Sequence, residues 1–218
     1  LLSAPITPGA LADGTRIQLL ANLGNAKDAP GAVELGAEGV GLSEGAYLVC
    51  DDTAAFETPQ ATWEALFRLD APAGFAFNPC LLAMRDPQHN TRLSVHIALD
   101  YARIVFWNGA GVSSADLVDG PLTPGVWHHL AIADRGAEGI AVFLDGVPRA
   151  VHPATGLNRA PHGLPLVIGA ANPDGIEALP CTVAGVAVYD RAFTEDDAAR
   201  RADAFGFAAY RAEVAPVQ

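Results

Sequence analysis

The sequence has few basic residues and no basic cluster. Among its 218 residues are 13 lysines and arginines, with Lys27 the only lysine, against 25 aspartates and glutamates, which gives a formal net charge of −12. A protein with this balance lacks the positive field that draws proteins onto phosphate backbones. The composition therefore argues against nucleic acid and anionic membrane surfaces as partners.

Long apolar runs, cysteines and aromatic residues are also scarce. No apolar run approaches the ~20 residues of a membrane-spanning helix, so we expect no membrane insertion. The three cysteines, Cys50, Cys80 and Cys181, cannot all pair within one chain. Either each is a small buried residue on a strand, or one pair that the sequence does not identify forms a disulfide. Aromatic residues make up only 7% of the chain, which argues against a large stacking platform.

What the chain does contain indicates an ordered β protein. Half of its residues are hydrophobic and only 17% are charged, while 22 glycines and 16 prolines are spread along its length. Frequent turns favour many short strands over a few long helices. A single β-sandwich domain of about 200–250 residues is common. We therefore predict one domain over residues 1–218, with few strand signals in 1–45 and a tail or linker at 206–218.

Strand-like runs recur between turn signals. In one of them Leu93, Val95 and Ile97 alternate with Ser94 and His96, as in an antiparallel strand with one buried face. The predicted strands are 46–50, 62–69, 81–85, 92–98, 102–107, 127–133, 140–144, 166–168 and 183–189.

Two local signals lie outside these runs. Asp145 and Gly146 form a tight-turn signal after the strand that ends at Leu144. Thr194 followed three residues later by Asp197 is close to a capping box and predicts a short helix that ends before Gly206.

Four segments in the second half resemble, in order, the laminin G-like family of bacterial and phage surface proteins. They are 125–131 (GVWHHLA), 140–147 (IAVFLDGV), 166–169 (LVIG) and 185–194 (GVAVYDRAFT). The resemblance implies an all-β, two-sheet antiparallel jelly roll of the concanavalin A-like class with one short C-terminal helix. In such a fold we expect Trp127 to fill the sandwich interior, and Tyr189 and Phe193 to hold the helix against a sheet edge.

The sequence offers no catalytic arrangement that we recognise. Glucanases of the jelly-roll class carry paired carboxylates on one strand, and no such pattern occurs here. His128 and His129 are adjacent, so on a strand they point to opposite faces and cannot share a zinc ion. We therefore expect a domain without enzymatic activity.

A structural Ca²⁺ is the one cofactor that the resemblance implies. Many relatives bind it through carboxylates near an early strand end and near the closing strand. Asp51 and Asp52 are the candidate ligands at the first position. At the second position this chain has Ala184 and Gly185 where the family has an acidic pair.

A cluster on the predicted 92–107 hairpin is the best candidate for ligand binding. Trp107 and Asn108, with Tyr101 and His96 nearby, combine an aromatic ring for stacking on a sugar with polar groups for its hydroxyls. The alternative is that Trp107 is a core residue.

We therefore predict a non-catalytic adhesion module that recognises a glycan or a protein surface, outside a cell or on a cell or virion surface. A structural spacer and an accessory domain of a carbohydrate-active enzyme are the alternatives. Oligomers through sheet edges are compatible with this fold.

Overall fold

The computed structural model describes residues 20–22, 39–42, 45–50, 57–70, 75–109, 111–117, 120–153 and 156–204. Two seven-stranded sheets and one helix account for most of them. In spatial order, the first sheet consists of β1 (Leu20–Asn22), β2 (Gly39–Leu42), β14 (Cys181–Tyr189), β4 (Ala61–Leu69), β9 (Trp127–Asp134), β10 (Ile140–Leu144) and β11 (Val147–Arg149). The second consists of β12 (Val151–His152), β8 (Val112–Asp116), β7 (Arg103–Trp107), β6 (Thr91–Ile97), β5 (Cys80–Arg85), β13 (Leu166–Ile168) and β3 (Leu48–Cys50).

Neighbouring strands are antiparallel, except for the parallel pair β1 and β2. This arrangement confirms the predicted jelly-roll sandwich.

The main hydrophobic core lies between the two sheets. Trp63, Phe67 and Leu130 from the first sheet meet Leu93 and Phe106 from the second, and all five side chains are buried. The central strands β4 and β6 contribute alternate residues to this core, because successive side chains point to opposite faces of a sheet. The intervening residues therefore face outward, and they decide what each outer surface can do.

The helix α1 (Glu195–Ala204) covers part of the first sheet's outer face. Its start is a capping box: the backbone N–H of Asp197 donates to Thr194 Oγ1 at 3.2 Å, and the Thr194 N–H donates to Asp197 Oδ2 at 3.0 Å. Ala198 packs with Phe193 and Phe143 against this face. The predicted helix is confirmed: Phe193 packs on the face of the sheet, and the helix also contacts β11, the strand at the edge.

All nine predicted strands are confirmed to within two residues at each end, and the turn after Leu144 is confirmed as well. Asp145 and Gly146 have φ angles of 57° and 77°, the left-handed pair that a two-residue hairpin between β10 and β11 requires. The strands missed by the sequence analysis are β1, β2, β8, β11 and β12, which are short or polar.

The expectation that Trp127 fills the sandwich interior is wrong. Its side chain is buried, but it packs with Leu66 and Ala184 on the outer face of the first sheet. Trp127 precedes the inward-facing Leu130 by three residues, an odd number, and so points the opposite way. The inward tryptophan is Trp63.

The three cysteines are free thiols. Cys80 and Cys181 are buried on strands, as the first of the two interpretations proposed, whereas Cys50 is exposed on β3. Burial raises the pKa of both buried thiols. Among the described residues, no helix has the length and hydropathy needed to cross a membrane.

Candidate functional site

The outer face of the second sheet carries an open groove. Leu93, Val95, Ile104 and Phe106 turn inward from β6 and β7, so His96 and Trp107 project outward. The groove has a volume of about 320 Å³. Its lining residues are Phe77, Asn78, Arg85, His96, Val105, Trp107, Val112 and Glu177.

Apolar side chains form one wall of the groove. Trp107 is half-buried, whereas Phe77 and Val112 are 68% and 59% exposed. Trp107 and Val112 are direct cross-strand neighbours on β7 and β8. Aromatic and aliphatic surface held open to solvent in this way is suited to the apolar face of a sugar ring or to a partner side chain.

Arg85, at the end of β5, lies beside the Trp107 ring and organises the polar part of the groove. Its guanidinium carbon lies 5.0 Å from the centre of the Trp107 ring, within the range of a cation–π contact. Its Nη1 is 3.8 Å from Glu177 Oε2, and its Nη2 is in hydrogen-bond contact with Nδ1 of His89. Three contacts therefore fix one guanidinium, which is nearly buried beneath the groove surface.

His96 forms part of the floor and is held by two hydrogen bonds. Its Nδ1 lies 3.0 Å from the Asn78 carbonyl oxygen, and its Nε2 lies 3.0 Å from Ser94 Oγ. The carbonyl can only accept, so we assign the proton to Nδ1 and let Nε2 accept from the serine hydroxyl. Burial lowers the pKa of His96 against the opposing effects of the Asn78 carbonyl and of Glu177, which favours the neutral ring.

The structure brings together two of the four predicted ligand-binding residues. His96 and Trp107 both line the groove, whereas Asn108 and Tyr101 do not. Asn108 is buried and accepts a hydrogen bond from the Gly111 N–H at 2.8 Å, which shapes the loop between β7 and β8. Tyr101, in the turn between β6 and β7, packs against the main core. Ligand binding by any of the four remains a prediction.

The candidate calcium ligands Asp51 and Asp52 lie outside the described residues. Within the part of the chain that the structure does describe, no group of three or more histidine, cysteine, aspartate or glutamate side chains is placed to hold a metal ion.

Sequence reasoning missed Arg85, Glu177, Phe77 and Asn78. Arg85 ends an apolar strand, and no pattern in the sequence indicates that its charged side chain is buried beside the groove. Glu177 carried no signal, because it reaches the groove from a loop 70 residues after Trp107. Its position depends on the tertiary fold.

Glu64, a buried carboxylate on β4 of the first sheet, is engaged in structural contacts. It accepts hydrogen bonds from His129 Nε2 and from the Tyr189 hydroxyl, both at 2.7 Å, and from Arg201 Nη2 at 2.9 Å. Burial acts to raise its pKa, but these three donors outweigh burial and lower the pKa to about 2. Its oxygens are thus occupied in joining the sheet to α1.

Comparisons with solved structures identify lectin-like domains with the same fold. The CBM40 of a Ruminococcus gnavus IT-sialidase, in a structure with α2,3 sialyllactose, has a TM-score of 0.58 at 14% identity and covers 75% of this chain and 96% of its own. A heptameric SAP-like pentraxin from Limulus polyphemus has a TM-score of 0.54 at 16% identity, over 66% and 70% of the two chains. At these identities the similarity shows the fold alone.

Two further matches involve longer proteins. A Trypanosoma rangeli sialidase has a TM-score of 0.53 at 16% identity, and the match covers 74% of this chain but 26% of that one. A Streptomyces coelicolor phosphoenolpyruvate-protein phosphotransferase is 53% identical over 53 residues. This chain spans only a tenth of the length of that curated relative, and the matched stretch is 24% of this chain.

Residues 42–199 match a sequence profile of the concanavalin A-like lectin/glucanases superfamily. This range is most of the chain and nearly the whole of the described sandwich. The two-sheet architecture and the lectin-like structural neighbours agree with this assignment. The chain belongs to the concanavalin A-like lectin/glucanase superfamily.

Proposed function

We propose that the chain is a non-catalytic binding module that takes a glycan into the groove on the second sheet. The observation that carries the proposal is the groove itself, in which exposed apolar side chains lie beside fixed polar groups. Trp107 and Phe77 supply surface for a sugar ring, while Glu177 and Asn78 supply acceptors for its hydroxyls. Sites for small ligands commonly combine an apolar lining with a few placed polar groups.

The absence of enzymatic activity is part of the proposal. Glycoside hydrolysis needs two carboxylic groups about 5–10 Å apart on either side of the bond that breaks. Among the described residues that line the groove, Glu177 is the only carboxylate. Glu64 lies on the first sheet and not in the groove, and its oxygens are occupied by three donors beneath α1.

A place at a cell or virion surface, either as an adhesion module or beside a catalytic domain, agrees with the fold. The match to the Trypanosoma rangeli sialidase supports the second arrangement, because a domain of this fold is one part of a much longer enzyme there. Accessory function in a carbohydrate-active enzyme is thus the second candidate, after independent adhesion.

A glycan array followed by calorimetric titration of the strongest ligand tests the proposal. We expect Phe77→Ala and Trp107→Ala to weaken binding at least tenfold, which corresponds to about 1.4 kcal/mol. Val147→Ala is the matched control, because Val147 is 48% exposed on the opposite sheet. Since Phe77 is largely exposed, its variant should fold normally even if Trp107→Ala is destabilised.

Two results would contradict the proposal. The first is the absence of binding to every glycan on the array by the folded protein. The second is binding that both groove variants leave intact. Release of free sugar from the bound oligosaccharide on long incubation would contradict the non-catalytic part alone.

A further inference from the structure

The most accessible charge in the groove is negative. The Glu177 side chain is 25% exposed, whereas the side chains of Arg85 and His96 are 7% and 10% exposed. A ligand that enters the groove therefore meets the Glu177 carboxylate before it meets the guanidinium. Like charges brought together at partly exposed sites repel, whereas a carboxylate accepts hydrogen bonds from sugar hydroxyls.

Arg85 is poorly accessible to a second anion, because its side chain is only 7% exposed. Its guanidinium already lies against the Trp107 ring, contacts His89 and pairs with Glu177. A carboxylate on the ligand would have to displace Glu177 from this arrangement, and Glu177 would then be left without its counter-charge. The imidazole of His96 offers no compensating charge, because the ring is neutral when Nδ1 donates to the Asn78 carbonyl and Nε2 accepts from the Ser94 hydroxyl.

The backbone fixes Glu177 in this place. Its φ angle is 55°, in the left-handed region that a residue with a side chain seldom adopts. Its carbonyl oxygen accepts a hydrogen bond from the Cys80 N–H at 2.7 Å. The preceding Ile176 accepts from the Ala171 N–H at 2.9 Å, and the buried Asn172 accepts from the Asp174 N–H at 3.0 Å. A strained conformation held by its surroundings is often found at functional sites.

We infer that Glu177 is a specificity-determining residue that makes the groove select uncharged carbohydrate and reject carbohydrate that carries a carboxylate. This inference rests on the proposed function, because it concerns the same groove. The formal net charge of −12 on the whole chain adds a weaker, longer-range repulsion of the same sign.

The test is the relative affinity for matched pairs of neutral and acidic sugars. Oligosaccharides of glucose and glucuronate, of galactose and galacturonate, and lactose with α2,3-sialyllactose are titrated against the wild-type protein and Glu177→Gln. In low salt we expect the wild type to prefer the neutral member by about fivefold or more. Glu177→Gln keeps the side-chain length and should bring the ratio of neutral-sugar affinity to acidic-sugar affinity close to one.

Glu138→Gln is the matched control. Glu138 is exposed in the turn Gly136–Glu138, which connects β9 and β10 of the first sheet. Its replacement removes one negative charge, so the net charge changes as much as it does in Glu177→Gln. We expect it to leave the ratio within twofold of the wild-type value, and thermal melts verify that both variants fold. Raising the salt concentration should narrow the wild-type preference, since screening weakens interactions between exposed charges.

The two claims fail in different ways. A preference for the acidic member, or a neutral preference that survives in Glu177→Gln, would overturn the specificity inference and leave glycan binding intact. The absence of binding to both members of every pair would overturn the proposed function, and the inference would fall with it.

Discussion

Replacement of Glu64 by glutamine should loosen the contact between α1 and the first sheet. Glu64 is 1% exposed and accepts hydrogen bonds from His129, Tyr189 and Arg201. Removal of one partner from a buried ion pair typically costs about 3–5 kcal/mol. We expect the lower end, about 3 kcal/mol, because glutamine keeps the side-chain volume and because the Arg201 side chain is 35% exposed and can be hydrated.

Thermal and urea unfolding measure this loss. For a chain of this size 1 kcal/mol lowers Tm by about 2–4 °C, so the variant should melt roughly 6–12 °C below the wild type. Glu138→Gln is again the matched control and should stay within about 0.5 kcal/mol of the wild type, as expected for an exposed site.

The pH dependence of stability gives an independent measure of the contribution of Glu64. The pKa of Glu64 is lowered from 4.5 to about 2 in the folded protein, so its contribution is fully present above pH 4.5 and is lost as the pH falls to about 2. The stability difference between wild type and Glu64→Gln should therefore shrink across this range. A Tm difference below 2 °C at neutral pH, or one that does not change between pH 5 and 2, would refute the reasoning.

Three further perturbations test other contacts. Gly175 and Gly163 both have positive φ angles, but a Cβ at Gly175 would lie 2.5 Å from the Tyr47 ring, whereas a Cβ at Gly163 would meet nothing within 4 Å. In urea unfolding, Gly175→Ala should therefore destabilise the protein by at least about 1 kcal/mol more than Gly163→Ala. Equal losses would contradict the close approach of the Tyr47 ring to Gly175. Thr194→Ala removes the helix cap and should cost about 1 kcal/mol, with no change if the capping bonds are unimportant. A thiol reagent should label one cysteine, Cys50, in the native protein and three in denaturant; rapid labelling of more than one native thiol would show that the sandwich opens.

Much of the fold could be predicted because local patterns and tertiary packing agree. The alternation of Leu93, Val95 and Ile97 with polar neighbours predicted which side of β6 faces the core, although the other side is buried as well. The turn at Asp145 and the helix cap at Thr194 depend on interactions between residues close together in the sequence, so the local sequence is enough to predict them. The predicted direction of the Trp127 side chain was wrong, because the expectation that a tryptophan is buried does not tell on which face of the sheet it lies.

The candidate site was less accessible to prediction. Trp107 and His96 share a hairpin, so their proximity followed from alternation and from the predicted register of two neighbouring strands. Asn108 and Tyr101 adjoin that hairpin in sequence, but loop and turn geometry directs them elsewhere. Glu177 reaches the groove from a distant loop, and no local pattern in the sequence reports on such a contact.

The most direct test of the central claim follows the three tryptophan indole N–H resonances during titration with the glycan selected by the array. Trp63 and Trp127 are each 1% exposed, whereas Trp107 lines the groove. Binding in the groove predicts that the Trp107 signal shifts with a saturable dependence on ligand concentration while the other two barely move. A saturable titration that leaves Trp107 unchanged would place the ligand elsewhere and contradict the account.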